Sequence, residues 1–125
     1  MPMAMHSALF NFAPQAGADP QVVSDNTPVS TRWIDCQDAK SVSFFVVTGT
    51  VADADVTVAV TLQHADAVDQ SDAEPVPAGA QIGDLPALTA TSDGVVKGVA
   101  YDPWRRYVRA TATPSNNTGS LPTGM

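Results

Sequence analysis

A chain of 125 residues has room for one ordinary domain built on a single hydrophobic core, with no need of disulfide or metal staples. Its 13 Asp and Glu against 6 Lys and Arg give a net charge of −7, which argues against a general nucleic-acid binder because such a protein needs a basic face to neutralise phosphates. Charged residues are sparse while Ala, Val, Thr, Pro and Gly are abundant, a mix that suits short strands and turns better than long helices.

The opening residues, Met1 to Phe10, lack the positive start and unbroken apolar core of a secretory signal, and no stretch approaches the roughly 20 apolar residues of a membrane span. The expectation is a protein made and folded in a cytoplasm, without a membrane partner. Residues 1–28 hold Pro2, Pro14, Pro20 and Pro28 with Gly17 and show no sustained period, so they read as an extended N-terminal arm. Within it Leu9, Phe10 and Phe12 form an apolar cluster suited to docking in a groove, on the same domain or on a neighbour.

From Val29 the chain turns β-rich. Val29 to Cys36 reads as one strand closing on the polar turn Gln37-Asp38-Ala39-Lys40, with the single cysteine, Cys36, as a small half-buried residue that has no intramolecular disulfide partner. Ser41 to Thr48 begins as an alternating strand and ends in the apolar run Phe44-Phe45-Val46-Val47, as a strand covered on both faces would. The cleanest alternation follows, with Val56, Val58, Val60 and Leu62 set against Thr57, Ala59, Thr61 and Gln63. Residues 81–91 suggest a short edge strand or an irregular crossing, and the Asp93-Gly94 turn leads into a strand from Val95 to Tyr101.

Arg105-Arg106-Tyr107-Val108-Arg109 then carries half of the basic residues into a last strong strand. Its period sends Arg106, Val108, Ala110 and Ala112 to one side and Arg105, Tyr107, Arg109 and Thr111 to the other. Roughly six or seven short strands at intervals on the order of ten residues specify an all-β domain, a single β-sandwich of jelly-roll or Ig-like type over residues 29–114, with a polar C-terminal tail over 115–125.

The inventory for chemistry is thin. His6 and His64 lie near no cysteine and no glycine-flanked serine elbow, so no catalytic residues, no cofactor and no enzymatic activity are expected. Asp66, Asp69, Asp72 and Glu74 bunch hard oxygen ligands on one loop, but the spacing is not that of a helix-flanked calcium loop and the sharp-turn glycine is missing. A solvated acidic loop with no metal is the reading. Because the arginines split between two faces, pairing with carboxylates is favoured over an anion site, the partners being Asp35, Asp38 or Asp102 within the chain or the acidic surface of a partner. Trp33 and Trp104 read as core or sandwich-end anchors, with interface anchoring the sharper reading for Trp104, which follows a proline in a loop. The candidate interface set is thus Leu9, Phe10, Phe12, Trp104, Arg105, Arg106 and Arg109.

Three segments in order resemble a family of small β-sandwich virion proteins of tailed bacteriophages, the capsid decoration or cement proteins. Ile34 to Thr50 is similar to the family's opening of strand, small turn, apolar strand and glycine; Ala52 to Asp66 resembles its long alternating strand and polar turn; Val96-Lys97-Gly98-Val99-Ala100-Tyr101 running into Arg105-Arg106-Tyr107-Val108-Arg109 resembles its Gly-x-x-Tyr and Arg-Tyr-Val-Arg strands. The resemblance covers residues 29 to 119 and implies a structural protein of the capsid exterior, made in the host bacterial cytoplasm. Its partners would be the major capsid protein and copies of itself as a trimer or dimer, with no nucleic acid. The related roles are a head–tail connector or tail component and a virion-surface adhesion or sugar-binding module. Relatives continue past the equivalent of Thr118-Gly119 into a further strand, whereas here Ser120 to Met125 remain. An open edge is therefore expected, one that a neighbour's residues 7 to 13 would fill by strand addition.

Overall fold

The computed structural model describes residues 17–37, 39–51, 54–89, 91, 93–119 and 121–125. It is an all-β sandwich of two antiparallel sheets. Sheet A, five-stranded, runs β1 (Gln21–Val23), β11 (Leu121–Gly124), β4 (Val42–Thr48), β9 (Val96–Tyr101) and β7 (Gln81–Ile82). Sheet B, six-stranded, is built on β10 (Tyr107–Ser115) and β5 (Thr57–Ala65). On the outer side of β10 lie β2 (Val29–Ser30) and β3 (Ile34–Asp35), and beside β5 lie β6 (Glu74–Pro75) and β8 (Ala87–Thr89). A single 3-10 turn, Ala78–Ala80, precedes β7, and among the described residues no helix is long and apolar enough to cross a membrane.

The spine is the β5–β10 ladder, registered from Tyr107 against Ala65 to Ser115 against Thr57. Alternation buries Val58, Val60 and Leu62 on one strand and Val108, Ala110 and Ala112 on the other. Size is complementary across the pair, since Leu62 faces Ala110 and Val60 faces Ala112, so branched side chains rise over small ones toward sheet A. There they meet Phe44 and Val46 of β4 and Val99 and Tyr101 of β9 in one core cluster. The backbone at Gly49 and Val51 is fastened to the Asp93-Gly94 turn: Asp93 Oδ1 accepts the Val51 N–H at 2.8 Å, Gly49 O accepts the Gly94 N–H at 3.1 Å, and Gly94 takes φ +57°, where a glycine avoids the Cβ clash.

The stretch read as one strand from Val29 to Cys36 is two short strands broken at Thr31. This residue is buried and takes over the ladder: its N–H donates to Ala110 O at 2.8 Å, and its Oγ1 accepts the Ala110 N–H at 3.0 Å while donating to Arg32 O at 2.9 Å. Thr31→Val keeps the shape and removes the acceptor, leaving the buried Ala110 N–H unpaired; the expected cost is about 1–3 kcal/mol, read as a lower urea midpoint at unchanged slope.

Three boundaries differ from the sequence reading. Residues 17–28, assigned to the arm, enter the sandwich: β1 pairs with β11, and Asn117 Nδ2 clamps the following turn through Val23 O at 3.0 Å and Asp25 O at 2.8 Å. The tail 115–125 is not merely turn-like, because Leu121–Gly124 is a strand between β1 and β4. The margin beyond β11 is accordingly covered by the chain's own Gln21–Val23 rather than by a neighbour. Of the arm, residues 1–16 lie outside the described residues, Leu9, Phe10 and Phe12 among them.

Candidate interaction surface

The arginine cluster sits at one end of the sandwich, and the spine's register explains its company. Because Tyr107 pairs with Ala65, the residues just before β10 and just after β5 emerge side by side. Arg105 therefore meets the acidic loop, with Nη2 2.7 Å from Glu74 Oε1, Nη1 3.4 Å from Asp72 Oδ2 and Nε 3.8 Å from Asp66 Oδ2. The loop holds its own shape around Asp72, whose carboxylate accepts the N–H groups of Asp66 and Ala67 at 3.1 Å each. Those two donors, aided by Arg105, keep the Asp72 carboxyl below its usual range. Arg105 fills the space between these carboxylates, and among the described residues no group of His, Cys, Asp and Glu is placed to hold a metal ion.

Beneath the loop, Tyr101 and His64 form a buried polar pair. His64 Nδ1 lies 2.9 Å from the Tyr101 hydroxyl, the rings meet edge to face at 81°, and the hydroxyl also accepts the Arg105 N–H at 2.9 Å. His64 Nε2 faces Glu74 Oε1 at 3.4 Å without hydrogen-bond alignment. Burial pushes the Tyr101 phenol above its ordinary range, opposed by the Arg105 N–H.

Arg106 makes a two-pronged pair with Asp35, Nε to Oδ1 at 3.3 Å and Nη2 to Oδ2 at 3.0 Å, which lowers the carboxyl below its usual range together with the Gln37 N–H. Arg109 donates from Nε to Gln63 Oε1 at 2.9 Å and lays its guanidinium 4.7 Å from the Trp33 ring centre. Asp35 is thus one expected partner found in place. Asp38 lies outside the described residues, and Asp102 takes no part in these ion pairs. Arg105 and Arg106 stand in a bend ahead of the strand, so their faces are set by the bend and not by strand alternation. Trp104 is 56% exposed and rests its ring edge on Gly79, where an added Cβ would come within 3.0 Å of the indole. The three arginines are therefore spent largely on the chain itself, and Trp104 keeps an outward face.

Cys36, just past β3, is 3% exposed, and burial, helped by the nearby Asp35 charge, pushes its thiol from the ordinary 9.0 up to about 11. A raised folded value means stability that is whole below pH 9 and lost as pH climbs through about 11. At 1.36 kcal/mol per unit the loss is on the order of 2–3 kcal/mol. Cys36→Ala should flatten that alkaline decline in urea titrations at pH 8 and pH 11, and the native thiol should resist aromatic disulfide reagents at pH 8 until the chain unfolds.

A second surface lies on the outer face of sheet A, and the sequence reading did not single it out. Cross-strand pairs place Val47 beside Val96, Phe45 beside Gly98 and Ser43 beside Ala100, with Ile82 next to Ala100 on β7. On the other flank Gly124 lies beside Val47 and Val22 beside Pro122. Paired residues share a face, so these form one continuous surface without a charged side chain. Val22 is 63%, Phe45 58% and Val96 62% exposed, and Val47 and Ile82 are exposed as well. The Phe45 ring lies flat across Gly98, its Cδ1 2.8 Å from the place a Cβ would take, so the glycine lets the aromatic cover the strand. A shallow apolar groove of about 670 Å³ runs along the flank between Pro20, Val22, Val47 and Pro122. The run Phe44 to Val47, apolar on both parities, was the signal: it marks a strand with two faces to cover, and here the core covers one.

No family model, curated protein or solved structure matches the chain.

Proposed function

We propose that the chain is a structural virion protein of a tailed phage, a decoration or cement protein that binds the outer capsid surface and reinforces contacts between capsid subunits. The observation that carries this reading is the uncharged outer face of sheet A, with Phe45, Val47, Val96 and Ile82 exposed together on a chain of net charge −7. Contiguous apolar area of this kind marks a contact with another macromolecule, since a lone domain in water gains nothing from it. The likeness of Ile34–Thr50, Ala52–Asp66 and Val96–Arg109 to decoration proteins suggests the partner, a capsid subunit. Cementing requires area and copy number rather than chemistry, because repeated weak contacts around a closed shell sum to a strong one. The arginine pairs would hold the far end of the sandwich rigid, with the partly exposed acidic loop turned to solvent.

The test is reconstitution. Purified chain mixed with decoration-free capsids of its own phage should co-sediment at a fixed number of copies per shell and raise the temperature at which the shells open. Failure to co-sediment, or binding confined to a single ring at the tail vertex, overturns the decoration role.

A further inference from the structure

The outer face of sheet A has two halves of opposite relief. Over β11 it is low, because the residues that strand turns outward are Pro122 and Gly124, and Val22 and Val47 on its two sides wall this floor into the apolar groove. Over β4 and β9 it is raised: Phe45 lies across Gly98, and Val96 and Ile82 stand on the same face, all three side chains more than half exposed. Neither half carries a charged side chain. Lys97, between Val96 and Gly98, has the opposite parity and donates its ammonium to Ala87 O of sheet B at 2.9 Å.

Charge selects an occupant. A partner of positive charge would be met by the carboxylates of a chain whose net charge is −7, whereas an uncharged patch lets two acidic molecules approach closely without setting like charges in contact. The acidic molecule whose shape matches is a second copy. A two-fold axis lying in the contact, parallel to the strands and between β11 and β4, turns one sheet over onto the other and exchanges the low and raised halves. We propose that the free chain forms a two-fold dimer through the outer face of sheet A, the Phe45 ridge of each copy seated in the other's groove over Pro122 and Gly124.

The area sets the strength. Five strands about 4.8 Å apart, the longest of them seven residues, give a face on the order of 500 Å² per copy, at the low end of specific interfaces. The dimer is therefore reversible. It covers the exposed apolar residues while the chain is free, and it opens when a copy turns the same face to another surface. This state of the free chain does not rest on the decoration role, although the two share a face.

Sedimentation of the full chain tests it. A monomer at about 1 µM and a dimer at about 100 µM are expected, the range of a reversible contact. Added salt should tighten the dimer, because it screens the repulsion between two acidic copies and breaks no ion pair across the contact. Phe45→Asp and Val22→Lys, both at exposed positions, should each weaken association about tenfold or more, and mixing the two variants should restore a mixed dimer, since the geometry brings position 45 of one copy to position 22 of the other. Urea midpoints at about 1 µM report whether both variants fold, and the salt response of the unaltered chain decides where one does not. A monomer at every concentration, a trimer, a dimer that salt loosens, or folded variants that stay monomeric when mixed overturns the proposal. Dimerisation that appears only once residues 1–16 are deleted overturns it as well and assigns the face to that segment. No capsid enters these measurements, so their failure and a failure to co-sediment with shells are told apart.

Discussion

Leu62→Ala is expected to lower the unfolding free energy by about 2–5 kcal/mol, a large share of the roughly 5–15 kcal/mol available to a domain of this size. The cost belongs near the upper end because the site cannot collapse. Leu62 is 2% exposed on β5, and directly opposite stands Ala110, 0% exposed, with Ala112 one pair further along. Small side chains have no length with which to refill a void, and the nine-pair ladder holds both backbones in place. The complementary substitution tests the size argument. Ala110→Leu alone overpacks the layer at about 1–3 kcal/mol, yet the double variant Leu62→Ala with Ala110→Leu moves the bulk across the pair and should recover part of both losses. Strict additivity in urea unfolding would show that the two positions do not share a packing site. Thr61→Ala, on the exposed parity of the same strand, should stay within about 0.5 kcal/mol.

The spine was legible because β5 and β10 write their burial into a two-residue period, apolar against small or polar, over nine residues each. Long-range pairing leaves no such trace. Nothing local in Gln21-Val22-Val23 or in Leu121-Pro122-Thr123 names the other as its partner, and Pro20 and Pro122 read as strand breakers. Pro122 is tolerated because its backbone faces Gly49, one residue past the end of β4, where its missing N–H interrupts no ladder. The same limit explains the Arg105 partners. Carboxylates near in sequence or on neighbouring strands could be weighed, and Asp35 proved correct for Arg106, but the meeting of Arg105 with Asp66, Asp72 and Glu74 depends on the β5–β10 register. Thr31 was hidden for a different reason, since a β-branched residue fits a strand and a ladder bond taken over by a side chain has no signature of its own. The outer face of sheet A was half visible: the double-parity apolar run announced a strand needing two covers, and only the three-dimensional neighbours show which side lacks one.

Phe45→Asp should leave the isolated domain within about 0.5 kcal/mol of its original stability and weaken its binding to capsids by about 100-fold or more. The asymmetry follows from where the side chain sits. At 58% exposure, across Gly98 and next to no charge on its face, the new carboxylate remains solvated in the free chain, and Gly98 loses the contact of a ring that is more than half exposed. In an assembled contact that carboxylate is pressed against apolar surface with no partner, a penalty of several kcal/mol, of which about 2.7 kcal/mol already gives the hundredfold loss. Val96→Asp, one strand over on the same surface, should behave alike, whereas Arg109→Gln, at the arginine end, should cost some stability through Gln63 and Trp33 and leave binding intact. Exchanged outcomes, with full binding by both sheet A variants and lost binding on truncating Trp104, would move the contact to the arginine end, where the indole edge rests on Gly79 and its other face is open to a partner.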